Sequence, residues 1–150
     1  MKRTLSVLTL LAFFAGGCAG LLTGGRENPS IKSAEATKLQ KDHKYTESVA
    51  AFQKIIEEYP NSDWAANSIY SIASAYVSAE NPRKDYAQAL IHFERFLNLY
   101  PQHERVPDAR NWRQAIKVII DGKKENERLL KNIEKLKELD MRQEQKRLGR

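Results

Sequence analysis

The residues able to carry chemistry are few and widely spaced. His43, His92 and His103 stand apart, with no second histidine four residues away and no neighbouring cysteine to complete a metal set. His92 lies between Ile91 and Phe93 on a helical pattern and reads as structural. Glu57 and Glu58 are adjacent, so on a helix their side chains diverge by about 100° and cannot work as an acid–base pair. No G-x-S-x-G and no glycine loop for phosphate occurs. The expectation is a protein without a reaction, a cofactor or a metal. One row suits recognition instead. Arg110, Arg113 and Lys117 follow at i, i+3 and i+7, putting three cations on one helix face. Guanidinium groups grip carboxylates in bidentate pairs, so such a row fits an acidic or carboxylate-ended segment.

The single cysteine sits in a separate context. Met1, Lys2 and Arg3 give a positive start, and Thr4 to Phe14 is an uncharged, largely apolar run. A membrane-spanning helix needs about 20 apolar residues, so this shorter run reads as a secretory signal. Ala15-Gly16-Gly17 then precedes Cys18. Small residues followed by cysteine resemble the lipobox of bacterial lipoproteins, although that family usually has Leu where Ala15 stands. The resemblance implies cleavage before Cys18 and acylation of its thiol. Residue 19 is Ala rather than the Asp that retains many such proteins at the inner membrane, which implies an outer-membrane anchor on the periplasmic face. Residues 1–17 are then the signal. Residues 18–30, with paired glycines and a proline, are a flexible tether.

The rest must position any binding face, and it repeats. Tyr45, Ser48, Phe52, Ile55-Ile56 and Tyr59-Pro60 recur as Tyr86, Ala89, Phe93, Phe96-Leu97 and Tyr100-Pro101, each pair 41 residues apart. A small residue lets a neighbouring helix approach, and phenylalanine fills the gap a turn later. Proline ends the helix, because it cannot continue the hydrogen-bond ladder. The pattern resembles the second helix of a tetratricopeptide repeat. Ala66, Ile69, Ile72, Ala73 and Tyr76 form the inward stripe of a first helix, with Ser62 or Asp63 as its cap. A shift of 43 puts Ala109, Trp112, Ala115, Ile116 and Ile119 on an equivalent stripe, with Pro107 at the helix start. In the first pair Ala36 and Leu39 face inward.

The fold expected is all-α. It has tetratricopeptide-like helix-pair repeats over 31–121, about two and a half of them, as pairs at 31–59 and 63–100 and a fifth helix over 106–121. Asp121-Gly122 reads as a helix end, followed by a charged C-terminal helix over 122–150. Together with the lipobox, the Tyr-Pro ends and long first helices resemble the BamD family of outer-membrane assembly lipoproteins and related periplasmic repeat lipoproteins. That family carries around five repeats, so this chain offers only part of such a contact surface.

In tetratricopeptide proteins the first helices line a concave groove. The resemblance, with the 43-residue shift, implies a groove lined by Asn67, Tyr70, Ser74, Arg110, Arg113 and Lys117. The tail from Lys123 to Arg150 carries 10 basic and 6 acidic residues, with a narrow apolar stripe at Leu129, Ile133 and Leu136. It reads as a capping helix packed on the fifth helix or as a docking helix for a partner or a second copy. Its wording also resembles the tails of envelope lipoproteins that attend sensor kinases. The function expected is therefore a lipid-anchored adaptor for envelope proteins, outer-membrane assembly components among them. The alternative is regulation of a sensor kinase through the tail. An exported chain meets no nucleic acid, and no small-molecule substrate is expected.

Overall fold

In a computed structural model, described here for residues 28–149, the chain forms five helices and no strand among those residues. They are α1 (Pro29–Lys41), α2 (Tyr45–Glu58), α3 (Asp63–Val77), α4 (Tyr86–Leu99) and α5 (Val106–Leu148). Cys18, the signal and most of the expected tether lie outside the described residues. Local chemistry sets each start. Asn28 caps α1 ahead of Pro29, Ser62 accepts the Ala65 N–H at 3.2 Å, and Asp85 accepts from Ala87 and Gln88 at 2.8 and 3.0 Å. These side chains satisfy amide donors that the first helical turn leaves unpaired. Asn61, at φ 58°, makes the left-handed turn between α2 and α3, a conformation asparagine tolerates better than most residues.

Packing follows chain order, each helix lying against the next, with a smaller contact between α1 and α3. The 41-residue repeat is visible in the core. Ser48, Phe52 and Ile55 of α2 and their counterparts Ala89, Phe93 and Phe96 of α4 are all buried. Ser48 also donates its hydroxyl to the Ala36 carbonyl at 2.9 Å, satisfying its own buried oxygen. The longer connection after α3 is organised by buried Asn81. Its amide donates to the Ala75 carbonyl at 2.8 Å, and its oxygen accepts the Arg83 N–H at 2.9 Å.

Helix α3 is covered on two sides. Ala65, Ser68, Ile72 and Ala75 are buried along one stripe, Ala66, Ile69 and Ala73 along another. Helix α5 has α4 as its main neighbour, and its buried residues are Val106, Ala109 and Ile116.

Two expectations need correction here. Gly122 does not end a helix: α5 continues through it to Leu148, 43 residues in all, or about 65 Å at 1.5 Å per residue. The boundary between domain and tail is thus not a break in the chain's helix. The tail does not fold back as a cap either, and every residue from Asp121 to Gly149 is exposed. Second, Trp112 and Ala115 are not core residues. Both are exposed, Trp112 by 41%. The fifth helix follows the 41-residue register of the second helices, so Ala65, Ser68, Ile72 and Ala75 correspond to Val106, Ala109, Arg113 and Ile116. A shift of 43 is two residues out, which turns the helix by about 200°.

Candidate interaction surface

Tyr70 is the centre of a shallow surface depression between α3 and α5. It projects from α3 onto α4, its ring meeting Phe93 and Phe96 edge-on at 5.5 and 5.7 Å between centroids. Trp112 of α5 stacks on Phe93 at 6.3 Å, nearly parallel. His103 meets Phe96 edge-on at 5.3 Å and accepts the Arg105 N–H at 3.1 Å. That turn holds Arg105 with its guanidinium 4.9 Å from the centre of the Tyr70 ring, within range of a cation–π contact. Tyr70, Asp108, Asn111, Trp112 and Ala115 line a shallow depression of about 410 Å³.

The Tyr70 hydroxyl is held above the usual tyrosine pKa, first by burial and then by the Asp108 carboxylate. Arg105 and a hydrogen bond with Trp112 oppose the shift. The phenol therefore stays protonated and remains able to donate at neutral pH. The groove thus offers an aromatic floor, one cation, one carboxylate and a side-chain amide. Such a surface can hold an apolar side chain on the rings while Asn111 and the Tyr70 hydroxyl meet a peptide backbone.

The sequence-predicted residues divide. Asn67, Tyr70 and Ser74 lie on one face of α3. Asn67 donates to the Asp63 carbonyl at 2.9 Å, and Ser74 to the Tyr70 carbonyl at 3.0 Å. Arg110, Arg113 and Lys117 are not part of the depression around Tyr70. Arg110 is exposed and Arg113 half-buried on the stripe that faces α4. Lys117 pairs with Glu94 of α4 at 3.1 Å. The residues that do meet Tyr70 were two positions away: Asn67, Tyr70 and Ser74, each advanced by 41, give Asp108, Asn111 and Ala115. The Tyr-Pro repeat already carried that register. Arg105 had no signal in the sequence, because a cation in a turn has no period.

His92 and Glu58 serve the fold. His92 stacks on Tyr76 at 5.9 Å, and burial, then Arg95, holds its pKa below the ordinary histidine value. Glu58 pairs with Lys32 at 2.6 Å. Leu129, Ile133 and Leu136 lie on the projecting part of α5, exposed by 44%, 48% and 61%. No group of acidic, histidine and cysteine side chains able to hold a metal is found among the described residues.

One family model matches the chain, described as YfiO, outer membrane lipoprotein, over residues 31–139. The match runs from α1 through most of α5, including the exposed stripe. No curated protein and no solved structure gives a significant match.

Proposed function

The chain belongs to the YfiO family of outer membrane lipoproteins, and from that premise we propose that it is a lipid-anchored adaptor. It captures envelope proteins on the concave face between α3 and α5 and works in envelope or outer-membrane protein assembly. In this reading Cys18 carries the acyl anchor, the tether spaces the repeats from the membrane, and the domain works from the periplasmic side without catalysis. The single observation that supports capture at this face is the Tyr70–Trp112 depression. It leaves two large aromatic side chains partly open to solvent on a rigid floor, with Arg105, Asp108 and Asn111 at the rim. Aromatic side chains fixed this way are the usual anchors of protein recognition.

The ligand it suits is an extended polypeptide segment with an apolar side chain. The row Arg110–Arg113–Lys117 is not part of this reading, since those residues lie off the groove. A direct test is affinity capture with the tagged full-length chain, cross-linked in cells before extraction. Asn111→Arg fills the depression from an exposed position and leaves the core intact. The expected result is loss of envelope proteins seen with the unaltered chain, with thermal stability unchanged. Undiminished capture by Asn111→Arg would remove the groove from the account.

A further inference from the structure

Two charged side chains border the depression, and they differ in what they already touch. Arg105 lies with its guanidinium 4.9 Å from the centre of the Tyr70 ring. Asp108 has no ion pair and no hydrogen bond among the described residues, and its carboxylate acts on the Tyr70 hydroxyl only through its field. An acid at this third position of a helix can reach back to the N–H of the cap residue. Here His103 Nδ1 already accepts the Arg105 N–H at 3.1 Å, so that role is taken. The positive end of a helix favours an acid anywhere in the first turn. What distinguishes Asp108 is its neighbour: Trp112 follows four residues later, on the same face of α5.

We propose that the segment held in the depression carries a lysine or arginine close to its apolar residue, and that this cation lies over Trp112 against the Asp108 carboxylate. This recognition rests on capture at the same depression, and it sets the charge of what is captured. Trp112 is 41% exposed although one face lies on Phe93 at 6.3 Å, so the rest of the indole can take a ligand. Indole is the aromatic ring that attracts cations most strongly. The contact of Arg105 with Tyr70 is the same chemistry within the chain. That guanidinium also repels a second cation from Tyr70, which leaves Trp112 as the ring for the ligand. A carboxylate beside the indole adds a charge-assisted hydrogen bond to the ring contact. Asn111 lines the same depression, and its amide can meet the backbone that carries the basic residue.

An acidic segment fits poorly. Its carboxylate would meet Asp108, while Arg105 at the rim is already engaged with a ring. This reverses the charge preference that Arg110, Arg113 and Lys117 suggest from sequence, since those residues lie off the depression. The preference is local, because the chain as a whole carries a formal charge of +6. Salt screens exposed charges beyond about 8 Å at physiological ionic strength, and a cation in contact with Asp108 lies well inside that distance.

The test selects a random peptide library, displayed on phage, on the purified full-length chain and sequences the survivors. The expected result is enrichment of Lys or Arg within about two residues of an apolar side chain, the spacing at which an extended segment presents both on one side. That enrichment should vanish when Asn111→Arg fills the depression. The best peptide is then compared with a version carrying Gln in place of its basic residue. Gln should weaken binding to the unaltered chain roughly tenfold, and to Asp108→Asn no more than about twofold, because there the pair is already broken. Glu104→Gln removes an exposed acid from the preceding turn and should keep the full difference. Equal losses on the unaltered chain and on Asp108→Asn would overturn the proposal. Binders lost with Asn111→Arg but without a basic preference would overturn it too, and would leave capture at the depression standing. Binders that survive Asn111→Arg, or no binders at all, would overturn both.

Discussion

Helices α3 and α5 occupy the same position in successive repeats, and they differ in what covers them. Where α3 buries Ala66, Ile69 and Ala73, α5 carries Pro107, Arg110 and Gln114, all exposed. The stripe that meets the preceding helix is kept in both: Ala65, Ser68, Ile72 and Ala75 against Val106, Ala109, Arg113 and Ile116. A stacked repeat needs neighbours on both sides, and a terminal unit must carry polar residues where the neighbour is missing. The lesson is that a helix of a repeat has separate faces with separate fates. Only the face toward α4 and the face toward the groove remain legible in α5 as members of the pattern.

The strongest way to break this contrast is to truncate one residue of each pair. Ile69→Ala leaves a cavity between helices and should destabilise the fold by about 2–5 kcal/mol. Its counterpart Arg110→Ala should change stability by no more than about 0.5 kcal/mol. Urea denaturation of both variants checks this, and equal losses would mean that the outer face of α5 is covered after all.

Arg113 sharpens the same point at an intermediate size. Because it lies half-buried against α4, Arg113→Glu should lower stability by about 1 kcal/mol or more through a poorly paired, partly buried charge. A change at an open groove position would leave stability alone. Thermal melts distinguish the two.

A smaller effect, of about 1 kcal/mol, is expected from Ser62→Ala, which removes the side-chain acceptor at the start of α3. Helix α5 starts without a side-chain cap bond, so Arg105→Ala should leave exchange in the first turn of α5 unchanged and lose only the contact with the Tyr70 ring. Amide exchange in the first turn of each helix is the readout.

The smallest effect concerns pH. His92 is held neutral in the fold by burial and then by Arg95. Its folded pKa lies below the unfolded one, so the unfolded chain binds the extra proton. Stability is then intact above the ordinary histidine pKa of about 6.5 and declines as pH falls below it toward the folded value. The counterpart 41 residues earlier is Ala51, which does not titrate. Replacing His92 with Gln should flatten the fall in thermal midpoint between neutral and mildly acidic pH, and an unchanged slope would assign that fall to other groups.

Much of this was legible in the sequence. Residues 45–60 and 86–101 repeat with such fidelity that the helix pairs, their proline ends and the buried phenylalanines follow from spacing. Tyr70 was found because it lies off the inward stripe of a first helix. The rest of the groove was missed through a two-residue error in α5. Trp112, an aromatic at helical spacing, reads as core in the 43-residue shift, but in the 41-residue register it takes the place of half-buried Ser71 and lines the groove. Gly122 misled in the opposite direction, since glycine weakens a helix without forbidding it. Lys123, Lys124 and Glu125, good helix formers, follow it and carry the helix onward.

The central claim is that the concave side of the α3–α5 pair, in the 41-residue register, is where partners bind. The most direct measurement places a photoreactive residue at Asn111 and, in a separate strain, at the neighbouring Arg110, and cross-links the full-length chain in intact cells. Both positions are exposed, yet they point about 100° apart on one helix. The account predicts adducts with envelope proteins from Asn111 and few or none from Arg110. Adducts chiefly from Arg110 would contradict it, and would put the working surface on the cationic side of the last helix.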